Sequence, residues 1–274
     1  MEISKKEIGH CVKSSGLAGK TVCVHASMRS FGRIKNGAAD VIDAFLENGC
    51  TIMAPTFSFG AFMTEPPAGL RPPQNGINYS DFPWKEYGNG KTYSTASDEI
   101  DANMGAIPAE LLKRKGRVRG NHPLCSFTAA GPFAAEIISG QQPMDVYAPL
   151  RELALFEGYV LLAGVELNKL TLLHLAEQMA GRNMFRRCSP AAGGGVIECE
   201  SGGCSDGFIS FNQYFRPMER AIRCGESQWR AIHARKALVL AARIIQLKPE
   251  ITRCAAVDCL YCRDAIAGGP QSAG

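Results

Sequence analysis

Apolar residues occur along the chain as short runs separated by glycine, proline and polar residues. The runs at 21–25 and 50–54 are rich in β-branched residues, which favours buried strands. Between them, Val41, Ile42, Phe45 and Leu46 recur at helical spacing, so residues 38–46 are predicted as an amphipathic helix. A strand, a helix and a second strand at this spacing predict a right-handed crossover with a parallel strand pair.

Later segments extend this alternation. Residues 158–165 form a continuous apolar run bounded by glycine, which is typical of a central strand, and residues 126–130 are predicted as another strand. Helices are predicted over 104–113 and 132–138, from Asn168 to about 178, and as one long C-terminal helix over 218–247. A hairpin is predicted over 193–210 with its turn at 201–203. The pattern indicates an α/β fold.

Residues 60–101 break the pattern, because prolines at 66, 67, 72 and 73 lie among glycine, asparagine and serine. A long irregular stretch inside a compact domain is usually functional, so we interpret it as an active-site insert loop. The alternative is a surface insertion without a role in binding. The remainder is expected to form one domain over residues 1–274, with a frayed tail at 263–274.

Composition narrows the function classes. The chain has 274 residues, 46% hydrophobic and 20% charged, with a net charge of +4. This charge is too small to indicate a nucleic-acid partner, and no apolar run is long enough to span a membrane. The first residues lack the apolar core of a signal peptide, so a cytoplasmic enzyme, monomeric or homodimeric, is expected. Eleven cysteines, an odd number, argue against a fully paired disulfide framework.

The first candidate for chemistry is the pair His174 and Glu177. They lie three residues apart on a predicted helix and therefore share one face. A carboxylate beside an imidazole fixes its tautomer and increases its basicity, as a general base requires. The alternative is a histidine buried on an apolar helix with a purely structural role.

Further candidates follow the strands. The small-residue loop at 25–32 ends the first strand, where ligands of α/β sheets collect, and Arg29 and Arg33 could neutralise phosphate oxygens there. The basic run at 113–119 could also attract phosphates, or could simply end a helix. The segment Asn121-His-Pro-Leu-Cys-Ser126 has polar side chains at a strand entrance, with turn chemistry as the alternative.

The cysteines at 254, 259 and 262 have the spacing of half a zinc knuckle. A fourth ligand would have to come from Cys188, Cys199 or Cys204. A single Cys-x-x-Cys without an evident partner pair is weak evidence, so a structural zinc stays an open alternative, and no catalytic metal is expected.

Three segments together resemble one family: His25-Ala-Ser-Met-Arg-Ser-Phe-Gly32, Asn121-His-Pro-Leu-Cys-Ser-Phe127, and Leu161-Leu-Ala-Gly-Val165 followed by Thr171-Leu-Leu-His-Leu-Ala-Glu-Gln178. The chain resembles the aminoglycoside 3-N-acetyltransferases in the order and approximate separation of these motifs. Met53-Ala-Pro-Thr56 and Met104-Gly-Ala-Ile-Pro-Ala-Glu110 extend the similarity across most of residues 21–178.

The resemblance implies a mixed central sheet flanked by helices, with a smaller insert and a C-terminal helix, distinct from the common acetyltransferase fold. It implies acetyl-CoA as donor and an aminoglycoside as acceptor, acetylated on the 3-amino group of the 2-deoxystreptamine ring, which gives antibiotic resistance. His174 matches the family's catalytic histidine and Glu177 its acidic neighbour. The implied coenzyme A contacts are Ser27, Met28, Arg29, Ser30, Phe31, Gly32, Thr56, His122 and Ser126.

Ala26 departs from the family pattern, which often has serine there, and the loop at 60–101 is not the common version. Because aminoglycosides are polycations and the chain is basic, we expect the acids of this loop to form a wall over the acceptor: Asp81, Glu86, Asp98, Glu99 and Asp101. The predicted substrate contacts are His25, Asp81, Glu86, Asp98 and Asp101.

Two other functions stay open on sequence alone. One is N-acetylation of a different small amine, such as a sugar or phosphonate intermediate. The other is a cysteine-rich metal or redox protein in which His174 is structural. A serine hydrolase is disfavoured because neither Ser27 nor Ser126 lies in a Gly-x-Ser-x-Gly elbow.

Overall fold

A seven-stranded mixed sheet forms the centre of the computed structural model, which describes residues 2–88 and 90–271. The strand order is β10-β11-β7-β2-β4-β6-β5, and β7, β2 and β4 run parallel to one another while the other pairings between neighbours are antiparallel. The strands are β1 (Glu2–Ile3), β2 (Thr21–Ala26), β3 (Arg33–Ile34), β4 (Thr51–Pro55), β5 (Val118–Arg119), β6 (Phe127–Ala130), β7 (Tyr159–Ala163), β8 (Phe185–Pro190), β9 (Val196–Ser201), β10 (Arg220–Cys224) and β11 (Ser227–His233).

Helices cover both faces of this sheet. They are α1 (Lys5–Ser14), α2 (Ala38–Glu47), α3 (Phe59–Phe62), α4 (Ala106–Leu111), α5 (Ala134–Ile138), α6 (Ala148–Leu155), α7 (Leu172–Met179), α8 (Asn212–Phe215), α9 (Ala234–Leu247) and α10 (Leu260–Ile266). Successive β2 residues point to opposite faces, so Cys23 joins the core under α5, α6, α7 and α9, whereas Val22 and Val24 join the core under α1, α2 and α4. The predicted α/β fold with a mixed central sheet is confirmed.

The three parallel strands end at the same edge of the sheet. Ser27 follows β2, Thr56 follows β4 and Gly164 follows β7. Ligand sites of open α/β sheets form beyond such ends, because the loops that leave adjacent parallel strands converge there. The fold therefore brings the loop at 27–31 next to the segment that leads into α7.

The prediction of one helix over 218–247 is wrong in its first half. Residues 220–233 form the antiparallel pair β10 and β11, and only Ala234–Leu247 is helical. In β11 the buried residues Ser227, Trp229 and Ala231 alternate with more exposed ones, which is the period-two pattern of a strand. Trp229 is fully buried against Phe45, so tertiary packing overrides helix propensity here.

Two other boundaries differ from prediction. The hairpin pairs β8 with β9, so residues 191–195 form its turn, and the segment expected as its second strand instead contains the 3-10 helix Asp206–Phe211. The segment expected as a frayed tail begins with regular structure: α10 ends within it, and Gly269 donates its N–H to the Asp264 carbonyl. Residues 272–274 of that predicted tail lie outside the described residues.

Within the residues that the structure describes, none of the helices combines the length and the apolar character that crossing a bilayer requires.

Candidate active site

A large cavity opens at the carboxyl ends of the parallel strands. Its volume is about 1360 Å³, above the range of roughly 300–1,000 Å³ typical of single small-ligand sites. It therefore has room for two ligands side by side.

Two groups of residues line this cavity, and we name them by origin. The strand-end wall comes from the segments that follow the parallel strands: residues 24–29, Pro55, Phe57, Val165, Asn168, Lys169, Thr171 and His174. The second wall comes from the insert, from the segment after β9 and from the region of α10: Met63, Phe82, Tyr87, Asp101, residues 201–205, Cys259 and Tyr261.

His174 enters the cavity from the first turns of α7. Leu172, Leu173 and Leu175 bury the surrounding helix face, which fixes the position of the imidazole. The residue is only 7% exposed, yet it lines the cavity. Its Nδ1 lies 2.8 Å from Glu177 Oε2. Among the described residues Nε2 makes no hydrogen bond, so it is the ring nitrogen left for a ligand.

Glu177 is itself held by a cation from outside the motif. Arg182 Nη1 donates to Glu177 Oε1 at 2.6 Å, and both side chains are buried. The same guanidinium donates to Thr252 Oγ1 at 2.7 Å and to the Pro249 carbonyl at 2.6 Å. A buried ion pair in which the guanidinium has further hydrogen-bond acceptors holds the carboxylate in a fixed orientation. Histidine, carboxylate and arginine thus form a relay that reaches the segment at 249–252.

The imidazole ring is enclosed by aromatic rings and by a glycine. Phe208 contacts it edge-on, with centroids 4.7 Å apart, and Tyr147 lies parallel to it at 6.1 Å. A Cβ on Gly202 would approach the His174 ring to 2.8 Å and the Tyr147 hydroxyl to 2.4 Å. Residue 202 must therefore be glycine for the segment after β9 to pack on the ring.

Sequence reasoning missed Tyr147, Arg182 and Gly202. Arg182 contacts Thr252 across 70 positions of sequence, and no local pattern reveals such a pairing. The glycines at 202 and 203 were visible, but they were interpreted as a hairpin turn.

Only the first half of the loop after β2 lines the cavity. Ser27, Met28 and Arg29 line the cavity. Ser30 turns away, because its hydroxyl bonds the Ser27 carbonyl at 2.6 Å and Ser227 Oγ at 2.8 Å. Of the other two predicted contacts, Phe31 is buried against Trp229 and Gly32 adopts a left-handed φ of 80° that ends the 3-10 turn.

Three other predicted coenzyme A contacts do not line the cavity. Thr56 and Ser126 are fully buried, and the Ser126 hydroxyl donates to the Thr56 carbonyl at 3.0 Å. His122 is also fully buried: its Nδ1 accepts from the N–H of Cys125 at 2.8 Å and of Leu124 at 3.2 Å. The bonds of His122 are turn chemistry, which is the alternative interpretation of the segment 121–126.

His122 and His25 are both buried as neutral imidazoles. Burial lowers the pKa of each to about 4. In His122 both nitrogens are committed, since Nε2 lies 3.0 Å from the Glu200 carbonyl. His25 lines the cavity beside Cys23, with Nε2 3.7 Å from the thiol, and so presents an uncharged ring to a ligand.

The expected acidic wall is wrong for four of its five carboxylates, because Asp81, Glu86, Asp98 and Glu99 do not line the cavity. Asp81 and Glu86 are exposed outside the cavity, and Asp98 is 76% exposed in a pair with Arg117. Asp101 does line the cavity and is the only carboxylate among its described lining residues. Its oxygens accept from the N–H groups of Phe59 and Gly60, while burial raises its pKa.

The end of the basic run fastens the insert to the sheet. Arg117 donates to the carbonyls of Thr95, Ala96 and Ser97. Arg119 is buried and reaches the carbonyls of Ser97, Glu99 and Thr56. These bonds use the guanidinium N–H groups that the sequence suggested for binding phosphate. The two arginines therefore position the insert instead.

Aromatic rings from the insert complete the second wall. Phe82 and Tyr87 stack at 5.4 Å and both line the cavity. Trp84 packs behind Phe82, with centroids 4.3 Å apart. Residues 60–101 therefore contribute to the cavity mainly through apolar and aromatic surface.

The described residues thus form an α/β protein whose cavity, at the carboxyl ends of its parallel strands, holds a histidine supported by a carboxylate. The family model of aminoglycoside 3-N-acetyltransferase matches residues 23–246. Since this match covers most of the chain, the protein belongs to the aminoglycoside 3-N-acetyltransferase family.

Individual relatives agree with this assignment. The chain is 30% identical over 190 residues to aminoglycoside N(3)-acetyltransferase IX of Micromonospora chalcea, covering 65% of this chain and 63% of that one. It is 33% identical over 170 residues to aminoglycoside N(3)-acetyltransferase VIII of Streptomyces fradiae, covering 60% and 56%. These matches span less than two thirds of the relatives' lengths. The crystal structure of aminoglycoside acetyltransferase AAC(3)-IVa as apoenzyme superposes with a TM-score of 0.77 at 22% identity, over 98% of both chains, and shows a common fold.

Proposed function

We propose that this protein transfers the acetyl group of acetyl-CoA to the 3-amino group of an aminoglycoside, with His174 as general base. The observation that carries the proposal is the relay of His174, Glu177 and Arg182, whose histidine faces a cavity large enough for donor and acceptor together. Membership of the family and the names of the relatives support the choice of reaction.

The proposed reaction is a direct transfer. His174 Nε2 removes a proton from the acceptor ammonium, and the free amine attacks the thioester carbonyl. The tetrahedral intermediate then collapses: the carbon–sulfur bond breaks, the nitrogen gives its second proton to the departing sulfur, and the amide and the coenzyme A thiol are released while His174 returns the first proton to solvent. A placed base contributes roughly 10²–10⁴ in rate, and holding both substrates together contributes more.

Ser126 does not act on the reacting atoms in this scheme. Its buried hydroxyl donates to the Thr56 carbonyl, so a different hydrogen-bond donor must stabilise the oxyanion of the intermediate. Ser27, Met28 and Arg29, which line the strand-end wall, are assigned to the donor, and Asp101 on the second wall to an acceptor ammonium.

A second acceptor class has a specific observation in its favour. Asp101 is the only carboxylate that lines the cavity among the described residues, whereas an aminoglycoside carries several ammonium groups. A small amine with fewer positive charges, such as an amino sugar, would match that lining. Both acceptors use the same relay.

The test is a panel of acceptors with acetyl-CoA, read by the mass of the acetylated product. Mass detection is preferable to thiol release because the protein itself has eleven cysteines. We expect a mass increase of one acetyl group on 2-deoxystreptamine aminoglycosides, located on the 3-amino group by NMR. Acetylation of simple amino sugars alone would assign the second acceptor class, and no acetyl-CoA-dependent product from any amine would refute the proposal.

A further inference from the structure

Four cysteines from two separate parts of the sequence converge beside the cavity. Their Sγ atoms all lie within 4.8 Å of one another, and all four thiols are free: Cys204, Cys254, Cys259 and Cys262. Tetrahedral Zn²⁺ with bonds of about 2.3 Å to sulfur places its ligands about 3.8 Å apart. A disulfide needs a contact of about 2.05 Å. The spacing of the four sulfurs therefore suits a metal centre.

The fold also decides which cysteine completes the set. Cys188 and Cys199 lie in the β8–β9 hairpin and are buried there as apolar residues, and burial raises the pKa of the Cys188 thiol to about 11. Cys204 leaves that hairpin and joins the three C-terminal thiols. The two cysteines nearest in sequence, Cys259 and Cys262, have the Cys-x-x-Cys spacing common in structural zinc sites.

The surrounding backbone supports thiolate ligands. The N–H of Cys254 donates to Cys262 Sγ at 3.4 Å, a bond that stabilises a metal-bound thiolate. Residues 255–258 are all exposed, and Val257 is 87% exposed. Because this loop buries little apolar surface, burial alone does not offset the conformational entropy lost when it is ordered, and bonds from the cysteines to a metal would do so.

We propose that these four thiols bind one structural Zn²⁺ as thiolates. Soft sulfur ligands in a tetrahedral set select zinc among the common divalent cations, and a site with four protein ligands keeps no open position for chemistry. Only deprotonated sulfur binds the metal, so the metal affinity of such a site increases with pH.

The site would fasten three segments that define the histidine's surroundings. Cys204 follows Gly202, which packs on the His174 ring. Cys254 follows Thr252, which accepts from Arg182. Cys262 belongs to α10, whose Asp264 Oδ2 accepts from the N–H of Gly76 in the insert at 2.8 Å. One metal would thus connect the second wall to the segment at 249–252 that accepts hydrogen bonds from Arg182.

A consequence for the acceptor follows, and it rests on the proposed function. Zn²⁺ with four thiolates carries a net charge of −2, and Cys204 and Cys259 line the cavity. The metal centre would supply negative charge to a wall with a single carboxylate. A cationic acceptor would be attracted there, whereas acetyl-CoA would not.

The decisive measurement is the metal content of the full chain, purified without chelators and analysed by inductively coupled plasma mass spectrometry. We expect about one zinc per chain. Apoprotein reloaded with Co²⁺ should give the intense sulfur-to-metal charge-transfer absorption of a four-thiolate site. Wild-type protein that lacks zinc and does not take up Zn²⁺ or Co²⁺, whether its thiols are free or oxidised, would overturn the proposal.

Variants separate this site from the other cysteines. Cys259→Ser should lose most of the zinc, whereas Cys11→Ser, a partly exposed cysteine on α1, should keep it. Equal zinc content in both variants would refute the ligand assignment, and the wild-type measurement decides the proposal if Cys259→Ser does not fold. Zinc content is independent of catalysis, so a zinc-bound protein without acetyltransferase activity would contradict only the proposed function.

Discussion

The two walls of the cavity are built in different ways. The strand-end wall consists of short segments that leave β2, β4 and β7, so its residues follow directly from parallel strands buried in the core. The second wall collects residues from the insert, from the segment after β9 and from the region of α10, which are joined by side-chain bonds over long sequence separations. The position of the histidine is therefore set by the sheet, while its orientation depends on parts of the chain far from its motif.

The largest expected effect comes from the residue where the two walls meet. His174→Ala should reduce kcat by roughly 10²–10⁴-fold, because the acceptor ammonium then lacks its base. The dissociation constant of acetyl-CoA should be unchanged, since Ser27, Met28 and Arg29, which are assigned to the donor, are intact. Steady-state kinetics and calorimetric titration measure the two quantities. His10→Ala, on the exposed face of α1, is the matched control; a His174→Ala enzyme with wild-type kcat would remove the base assignment.

The next effect tests the link between the relay and the C-terminal segment. Arg182→Met should reduce the free energy of unfolding by roughly 3–5 kcal/mol, because Glu177 is left buried without its partner. Arg235→Met breaks an exposed pair with Glu157 and should leave the free energy of unfolding nearly unchanged. Urea unfolding measures both. If the two variants were equally stable, the buried pair would not hold the relay.

The pH dependence of stability tests the burial of His122, which joins the loop between β5 and β6 to the Glu200 carbonyl of β9. Its pKa of about 4 lies below that of an unfolded histidine at about 6.5, so the unfolded chain binds more protons as the pH falls through this window. Stability should therefore decrease from pH 6.5 to 5, by about 1.5 kcal/mol for His122 and the same for His25.

His122→Asn keeps an acceptor for the N–H of Cys125 and removes the titration. The decrease in the free energy of unfolding between pH 6.5 and 5, measured by urea denaturation, should be roughly halved in this variant relative to wild type. An unchanged pH dependence would show that His122 is not buried as a neutral ring.

The smallest effect distinguishes the one carboxylate that lines the cavity from those that do not. Asp101→Asn should raise the KM of the acceptor roughly tenfold, which corresponds to about 1.4 kcal/mol, with little change for acetyl-CoA. Asp98→Asn, in its exposed pair with Arg117, should leave both constants unchanged. Equal shifts in the two KM values of Asp101→Asn would remove its assignment to the acceptor.

Sequence patterns predict the strand-end wall because periodicity and strand ends are local properties. The apolar runs that became β2, β4 and β7 were recognisable, and so was the His174–Glu177 pair on α7. The patterns could not distinguish a residue that lines the cavity from one that is buried beside it. Thr56 and Ser126 belong to the motifs that carry the family resemblance, but both are fully buried, and the Ser126 hydroxyl bonds the Thr56 carbonyl.

The second wall was less predictable for a physical reason. Its placement depends on pairings such as Arg182 with Thr252 and Arg119 with the insert carbonyls, which leave no periodic trace in the sequence. The prediction of an acidic wall from charge also failed here: Asp81, Glu86 and Asp98 lie in the insert but do not line the cavity. The strand pair β10–β11 was missed because its alternation lies within a charged segment of helix-forming residues.

The contact between Trp84 and Phe82 has an optical consequence. The chain has two tryptophans, and Trp229 is sealed in the core against Phe45 and Phe31. Trp84 instead lies directly behind a ring of the cavity wall, 4.3 Å from Phe82. Its emission should respond when a ligand displaces water from that wall, while Trp229 contributes a constant background. The fold thus contains an intrinsic fluorescent reporter of occupancy that needs no label, and Trp84→Phe supplies its blank.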